Sequence, residues 1–419
     1  MKQHRTIFAV LTFFLLASFT QVQSQDEGFL YGKVTTIEGK SYEGALRWGK
    51  EEAYWTDLFN ASKERNENLN YLSREEREDL EERYHRHNND FGDRVGEWFN
   101  IRWSHDFGDD RHQHQFVCQF GEIKTIKPTG RERARLELKG GQSFEVDGDG
   151  YNDIGTKVKV MDAEIGEVEL SWSRIETVEF MEAPSKIPNK FGEPLYGTVE
   201  TYSGTFTGFV QWDHDERVST DKLDGDTDDG DVSIEFGKLK SIERDGFRSQ
   251  VVLASGRRMQ LSGSNDVNSE NRGIVVTNSK YGRVDIPWKE FKKVTFESPK
   301  EKPMAYKDFK SQKELNAVVK TTNGETVSGR IIYDLDESHD YEVLQGMNED
   351  IEYIIAFKNI SKIMPKNYDN STIVLKNGEQ IMLSEGQDVS DKNTGILVFR
   401  EQDRPTYIPW EKVREIIFN

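Results

Sequence analysis

Short stretches in which apolar residues alternate with polar ones recur from residue 30 onward, each closed by a glycine or a polar turn. This period of two predicts half-buried strands rather than helices. Leu30 to Val34 followed by Gly39 and Gly44 reads as strand, hairpin, strand, and so does Leu195 to Val199 with Gly204 and Gly208. Leu315 to Val319, with Gly324 and Gly329, is a looser third version. A second spacing appears at Trp172-x-x-Ile175-x-x-Val178-x-Phe180, Trp288-x-x-Phe291-x-x-Val294-x-Phe296 and Trp410-x-x-Val413-x-x-Ile416-x-Phe418. A step of three fits one tight helical turn, and the following step of two fits a strand.

These matches are internal repeats, and they predict three tandem units of roughly 105 residues. Each unit divides into two halves. The first half ends at Phe120 to Ile126, Phe236 to Ile242 and Phe357 to Ile363, and the second ends at the tryptophan-led motif. Strand, glycine hairpin, strand, then a turn leading into a last strand resembles the way small SH3-like and Sm-like barrels close. The expected fold is therefore all-β, with each unit a pair of such barrels; six half-units also fit a six-bladed propeller. Half-units of about 50 residues bury too little surface to stand alone, so each pair should share a core. The closing tryptophans are expected inside it.

The units fall at 25–182, 195–298 and 314–419. Between them lie proline-bearing, lysine-rich linkers at 183–194 and 299–313. Unit one is longer because residues from about 61 to 111 interrupt its first half. Ser73-Arg-Glu-Glu76 is a capping box that predicts a charged helix to about Arg86, and Phe91, Trp98, Phe99, Trp103 and Phe107 follow it. Such an insert serves either as a contact surface or as a lid over one barrel face.

Residues 1–24 read as a secretory signal: Lys2, His4 and Arg5, an uncharged apolar run from Ile7 to Phe19, and Val22-Gln23-Ser24 before a cleavage point at Gln25. That run is too short to span a bilayer, and no later segment is apolar enough. A secreted or periplasmic protein with no integral membrane segment is expected. The net charge is -19 and becomes more negative once Lys2 and Arg5 are removed. A surface of that sign repels phosphate backbones and excludes nucleic acid as the main partner. The single cysteine, Cys118, excludes an intrachain disulfide, and its alignment with Ile234 and Ile355 predicts a buried apolar role.

Candidate chemistry is sparse. His85, His87, His112 and His114, with His105 nearby, offer imidazoles for Zn²⁺ or Cu²⁺, against the simpler reading of solvated loop histidines. Asp224, Asp226 and Asp228, running to Glu235, follow the ligand spacing of a calcium-binding EF-hand loop. Asp229 stands where that loop needs glycine, however, and Glu235 falls in a predicted strand. Asp153, Asp266 and Asp388 recur at one place in each unit. A turn aspartate most simply caps backbone N–H groups, and contact with a ligand or cation is the alternative. Tyr54 and Trp55 are sequence neighbours, which on a strand would leave one exposed for ligand contact. No nucleophile elbow, H-E-x-x-H, Walker loop or dinucleotide motif occurs.

The expected function is therefore that of an exported, non-catalytic binding or structural protein of the bacterial cell envelope, with a protein or glycan of the envelope as partner. A metal-dependent sensor or hydrolase built on the histidine-rich insert, and a calcium-stabilised adhesin-like array, are the alternatives.

Overall fold

The computed structural model describes residues 25–63, 67–80, 82, 114–148, 151–310, 312–400 and 404–419. It is mostly β, in large antiparallel sheets. The first segment contains β1 (Tyr31–Thr36), β2 (Ser41–Trp48), β3 (Leu58–Lys63), β4 (His114–Gln119), β5 (Ile123–Pro128), β6 (Arg133–Leu138), β7 (Ser143–Asp147), β8 (Val158–Asp162), β9 (Gly166–Leu170) and β10 (Ile175–Phe180). They pair in the order β4-β3-β7-β6-β5-β10-β1-β2-β8-β9. The ten strands from Tyr196 to Phe296 follow the same order, with one isolated bridge, Asp226 to Ser262, in place of the β3–β7 step. The ten strands from Asn316 to Phe418 follow it again.

This order departs from the expected barrels. No sheet closes into a barrel among the described residues, and the ten strands of the first segment form one continuous sheet. The two halves exchange hairpins: β1 and β2 pair with β10 and β8, while β6 extends from β5 and β7 reaches β3. A half-unit of this size cannot cover the apolar residues of its hairpins by itself. Exchange covers them with the other half. The repeated glycine of the second strand permits the crossing. A Cβ on Gly44, Gly208 or Gly329 would collide with the carbonyl oxygen of Met161, Thr277 or Phe399 on the adjoining strand.

Each segment is centred on the closing tryptophan. Trp172, Trp288 and Trp410 are buried and meet Trp48, Trp212 and Tyr333 edge to face, at 6.1, 5.9 and 5.9 Å. Phe120, Phe236 and Phe357 complete the cluster, and Cys118 is buried in the first segment. Aromatic pairs in this geometry contribute about 0.5–1.5 kcal/mol beyond the area they bury.

The segments meet in two different ways. Gly282–Ile286 of the second pairs with Ile351–Ala356 of the third, which joins the two into one 18-stranded sheet. The first segment has its own sheet and attaches through side chains. The proline-bearing connections are part of that attachment rather than loose linkers: Ile187 and Phe191 pack on Phe29 and Tyr54, and Tyr306 and Phe309 enter the first segment's core. The Tyr306 ring lies tilted against Trp55, centroids 4.5 Å apart, and its hydroxyl donates to the carbonyl of Ile123.

The predicted capping box is formed. Ser73 N–H donates to Glu76 Oε2, and Glu76 N–H donates to Ser73 Oγ. The helix that follows, described over 74–80, buries Leu80 together with Leu72 against Ile332, Leu335 and Leu397 of the third segment. The described part of the insert is therefore a clasp between segments rather than a lid over the first. Residues 1–24 lie outside the described residues, and no described helix is long and apolar enough to cross a membrane.

Candidate functional site

Each segment's second strand ends in a tight turn that gathers acids. Trp48, Trp212 and Tyr333 bridge back to Glu52, Glu216 and Glu337 four residues later. The residue after the aromatic has positive φ: Gly49 at 58°, Asp213 at 47° and Asp334 at 49°. Asparagine and aspartate tolerate this left-handed region better than most side chains. The turn faces the loop that carries Asp153, Asp266 or Asp388.

Those three aspartates perform one structural task. Their Oδ2 atoms each accept, at 2.7 Å, a backbone N–H of the third strand: Asn60, Asp224 and Gln345. Their own carbonyls accept Trp48 Nε1 at 2.7 Å, Trp212 Nε1 at 2.9 Å and the Tyr333 hydroxyl. Each aspartate thus anchors the strand on one side and the central aromatic on the other.

Two of the glutamates beside them lack such partners. Glu216 Oε2 and Glu337 Oε2 are buried and accept no hydrogen bond. Burial first, and then the neighbouring Asp266, Asp215 and Asp213, push Glu216 up to about 9. Burial likewise raises Asp153 and Asp334 to about 7 and Asp266 to about 6. In the second segment one ligand oxygen from each of Asp213, Glu216 and Asp266 lies within 4.8 Å of the others. Such a set can share a proton or hold a hard cation.

A second set of acids lies at the contacts between segments. Asp57, Asp221 and Glu342 each accept two consecutive backbone N–H groups, from Ala53 and Tyr54, Arg217 and Val218, and Ser338 and His339. Each also takes a cation from another segment. Arg217 Nη2 donates to Asp57 at 2.7 Å, Arg47 to Asp221 at 2.5 Å, and Lys63 to Glu342 at 3.2 Å. Sequence reasoning passed over this set, although a signal was present: an acid stands nine residues after Trp48, Trp212 and Tyr333.

Tyr54 and Trp55 do point different ways, but neither is exposed. Tyr54 lies under Arg217 at 4.6 Å against the second segment, and Trp55 is fully buried with its Nε1 on the carbonyl of Glu27. The Tyr54 ring is needed where the segments meet, which is why the expected exposed aromatic is missing. Asp224 and Asp226 sit on the exposed face of a regular hairpin, Lys222–Thr227 with Gly230–Glu235, and Asp228 is at its tip. A straight hairpin spreads these three carboxylates along its outer face, and Glu235 ends the returning strand. His85, His87 and His112 lie outside the described residues, and His114 opens β4 opposite Lys63.

Comparison with known proteins gives no identification: no family model, no curated protein and no solved structure matches the chain.

Proposed function

We propose that this chain is an exported, non-catalytic scaffold of the bacterial cell envelope, built from three tandem β units and presenting a surface to a protein or glycan partner. The observation that supports the reading most is where its conspicuous residues point. Asp153, Asp266 and Asp388 hold strands and indoles, Tyr54 and Trp55 fill contacts between segments, and each segment repeats one pairing order. A chain that commits these groups to its own packing suits a rigid support, and loops on such a support carry binding. Within this reading residues 1–24 are the export signal.

Fractionation of the native host with intact mass measurement tests the proposal. An envelope-located chain beginning at Gln25 is expected; a cytoplasmic chain that keeps residues 1–24 overturns it. The histidine-rich insert supports the rival metal-dependent reading, and elemental analysis separates the two. Stoichiometric zinc or copper in the purified chain, lost when residues 61–111 are deleted, would favour the rival.

A further inference from the structure

We propose that a second copy of this chain docks through open strand edges, β9 (Gly166–Leu170) of one copy pairing with Gly230–Glu235 of the other. This association goes beyond the scaffold reading and depends on neither export nor an envelope partner. Each segment's pairing order has a first strand and a last strand at its two ends. The one backbone ladder between segments runs from the last strand of the second, Gly282–Ile286, to the first strand of the third, Ile351–Ala356. The corresponding strands one segment earlier are β9 and Gly230–Glu235. The chain therefore carries both halves of its own joint a second time. Among the described residues neither half is used: β9 pairs only with β8, and Gly230–Glu235 only with Lys222–Thr227. Within one chain the first two segments are held instead by the Arg217–Asp57 and Arg47–Asp221 pairs.

An apolar side chain beside β9 supplies an independent sign that something is missing. At the existing joint Tyr281, in the turn before Gly282–Ile286, meets Tyr353 of the third segment edge to face at 5.8 Å. Its counterpart in the turn before β9 is Ile165, which stands 64 % exposed. The counterpart of Tyr353 is Val232, half-buried on the open hairpin. A second copy that repeats the joint brings Ile165 against Val232 and takes it out of water.

Both strands are fit for pairing. Proteins blunt an exposed edge with a bulge, a proline or a lysine. The registers of both hairpins run without a bulge, and neither strand contains proline or lysine. The other two end strands are less suited. Thr406–Ile408 has three residues and follows Pro405, and β4 packs through Val117 on Val343 and Ala356 of the third segment.

The existing register sets Arg283, Val284 and Asp285 opposite Ile354, Tyr353 and Glu352. Transferred by position, it sets Glu167, Val168 and Glu169 opposite Ser233, Val232 and Asp231. Glu169 and Asp231 are then facing acids. The internal joint carries the same burden at Asp285 and Glu352 and still forms, so the pair weakens the ladder without forbidding it. A ladder this short gives weak association, and salt should strengthen it by screening two acidic copies from each other.

Sedimentation equilibrium of the full chain tests this. The average mass is expected to rise above that of one chain with concentration, and further in high salt. Glu169→Lys or Asp231→Lys alone makes the facing pair opposite in charge and should tighten association about fivefold. The double variant sets lysine against lysine and should lose that gain, whereas a general effect of net charge would tighten it further. Ser233→Pro removes an amide from the open edge and should abolish association. Ile165→Asp, at an exposed position, serves in its place should that variant fail to fold. The proposal is overturned if the unaltered chain stays a single copy at every concentration and salt level. It is equally overturned if the double variant associates more tightly than either single one, or if association survives in whichever of the last two variants folds.

Discussion

The joint between the second and third segments and the joint that holds the first are built on different principles. The former is a ladder, with Arg283, Val284 and Asp285 opposite Ile354, Tyr353 and Glu352, and backbone amides form its hydrogen bonds. The latter is made of side chains: the buried Arg217–Asp57 pair, Lys63 with Glu342, and the aromatic strap of Tyr306 and Phe309. A ladder is tolerant of what its side chains are, because every residue brings the same amide. A side-chain joint depends on particular atoms, and it should fail one residue at a time.

Substitutions can break this contrast, and the largest effects should be shared by both regions. Trp410→Ala in the third segment and Phe309→Ala in the strap should each cost about 3–5 kcal/mol in urea denaturation, because both remove a buried ring. A loss under about 1 kcal/mol at Phe309 would mean that the strap is not part of the first segment's core. Arg217→Met strands Asp57, 2 % exposed, without its cation, for an expected cost of about 3–5 kcal/mol. That loss should appear as earlier unfolding of the first segment. Hydrogen exchange that loosened all three segments equally would contradict the division between joints.

The ladder joint should instead show its weakness through pH. Glu352 is pushed up to about 7, by burial first and then by the charge of Asp285, from an ordinary value of 4.5. An acid whose folded value is raised binds its proton more tightly when folded. Its cost is absent below about 4.5, grows through 7 and is complete above that. Glu352→Gln should therefore be about 1–3 kcal/mol more stable than the unaltered chain at pH 8. At pH 4 the two should melt alike, and a constant offset across the range would sink the assignment. The smallest effect belongs to the exposed pair Arg135–Glu145, where Arg135→Ala should change stability by less than about 0.5 kcal/mol.

How much of this was legible depends on the range of the interaction. The closing motif was, because Trp-x-x-Ile-x-x-Val-x-Phe encodes a turn and a strand in adjacent residues, and all three tryptophans are buried. Hairpin exchange was not, since β1 meets β10 across more than a hundred residues and no local period records a partner. The repeated Asp153, Asp266 and Asp388 were visible as a set and cap backbone as turn aspartates do. Their unsatisfied neighbours, Glu216 and Glu337, were passed over, although they follow the central aromatic at a fixed offset of four. Tyr54 and Trp55 misled for a related reason: alternation predicts which way a side chain points, not what another segment places against it.

The strap also bears on the order in which the molecule can be completed. Tyr306, Phe309 and Tyr341 fill the first segment's interior yet are synthesised long after its last strand. The first segment is thus left waiting, its apolar pocket open, until material from beyond the second segment arrives to plug it. A truncated chain ending near residue 298 would keep every strand of two segments and still lack that plug. During synthesis, the open pocket is the place where a chaperone would find exposed apolar surface to hold.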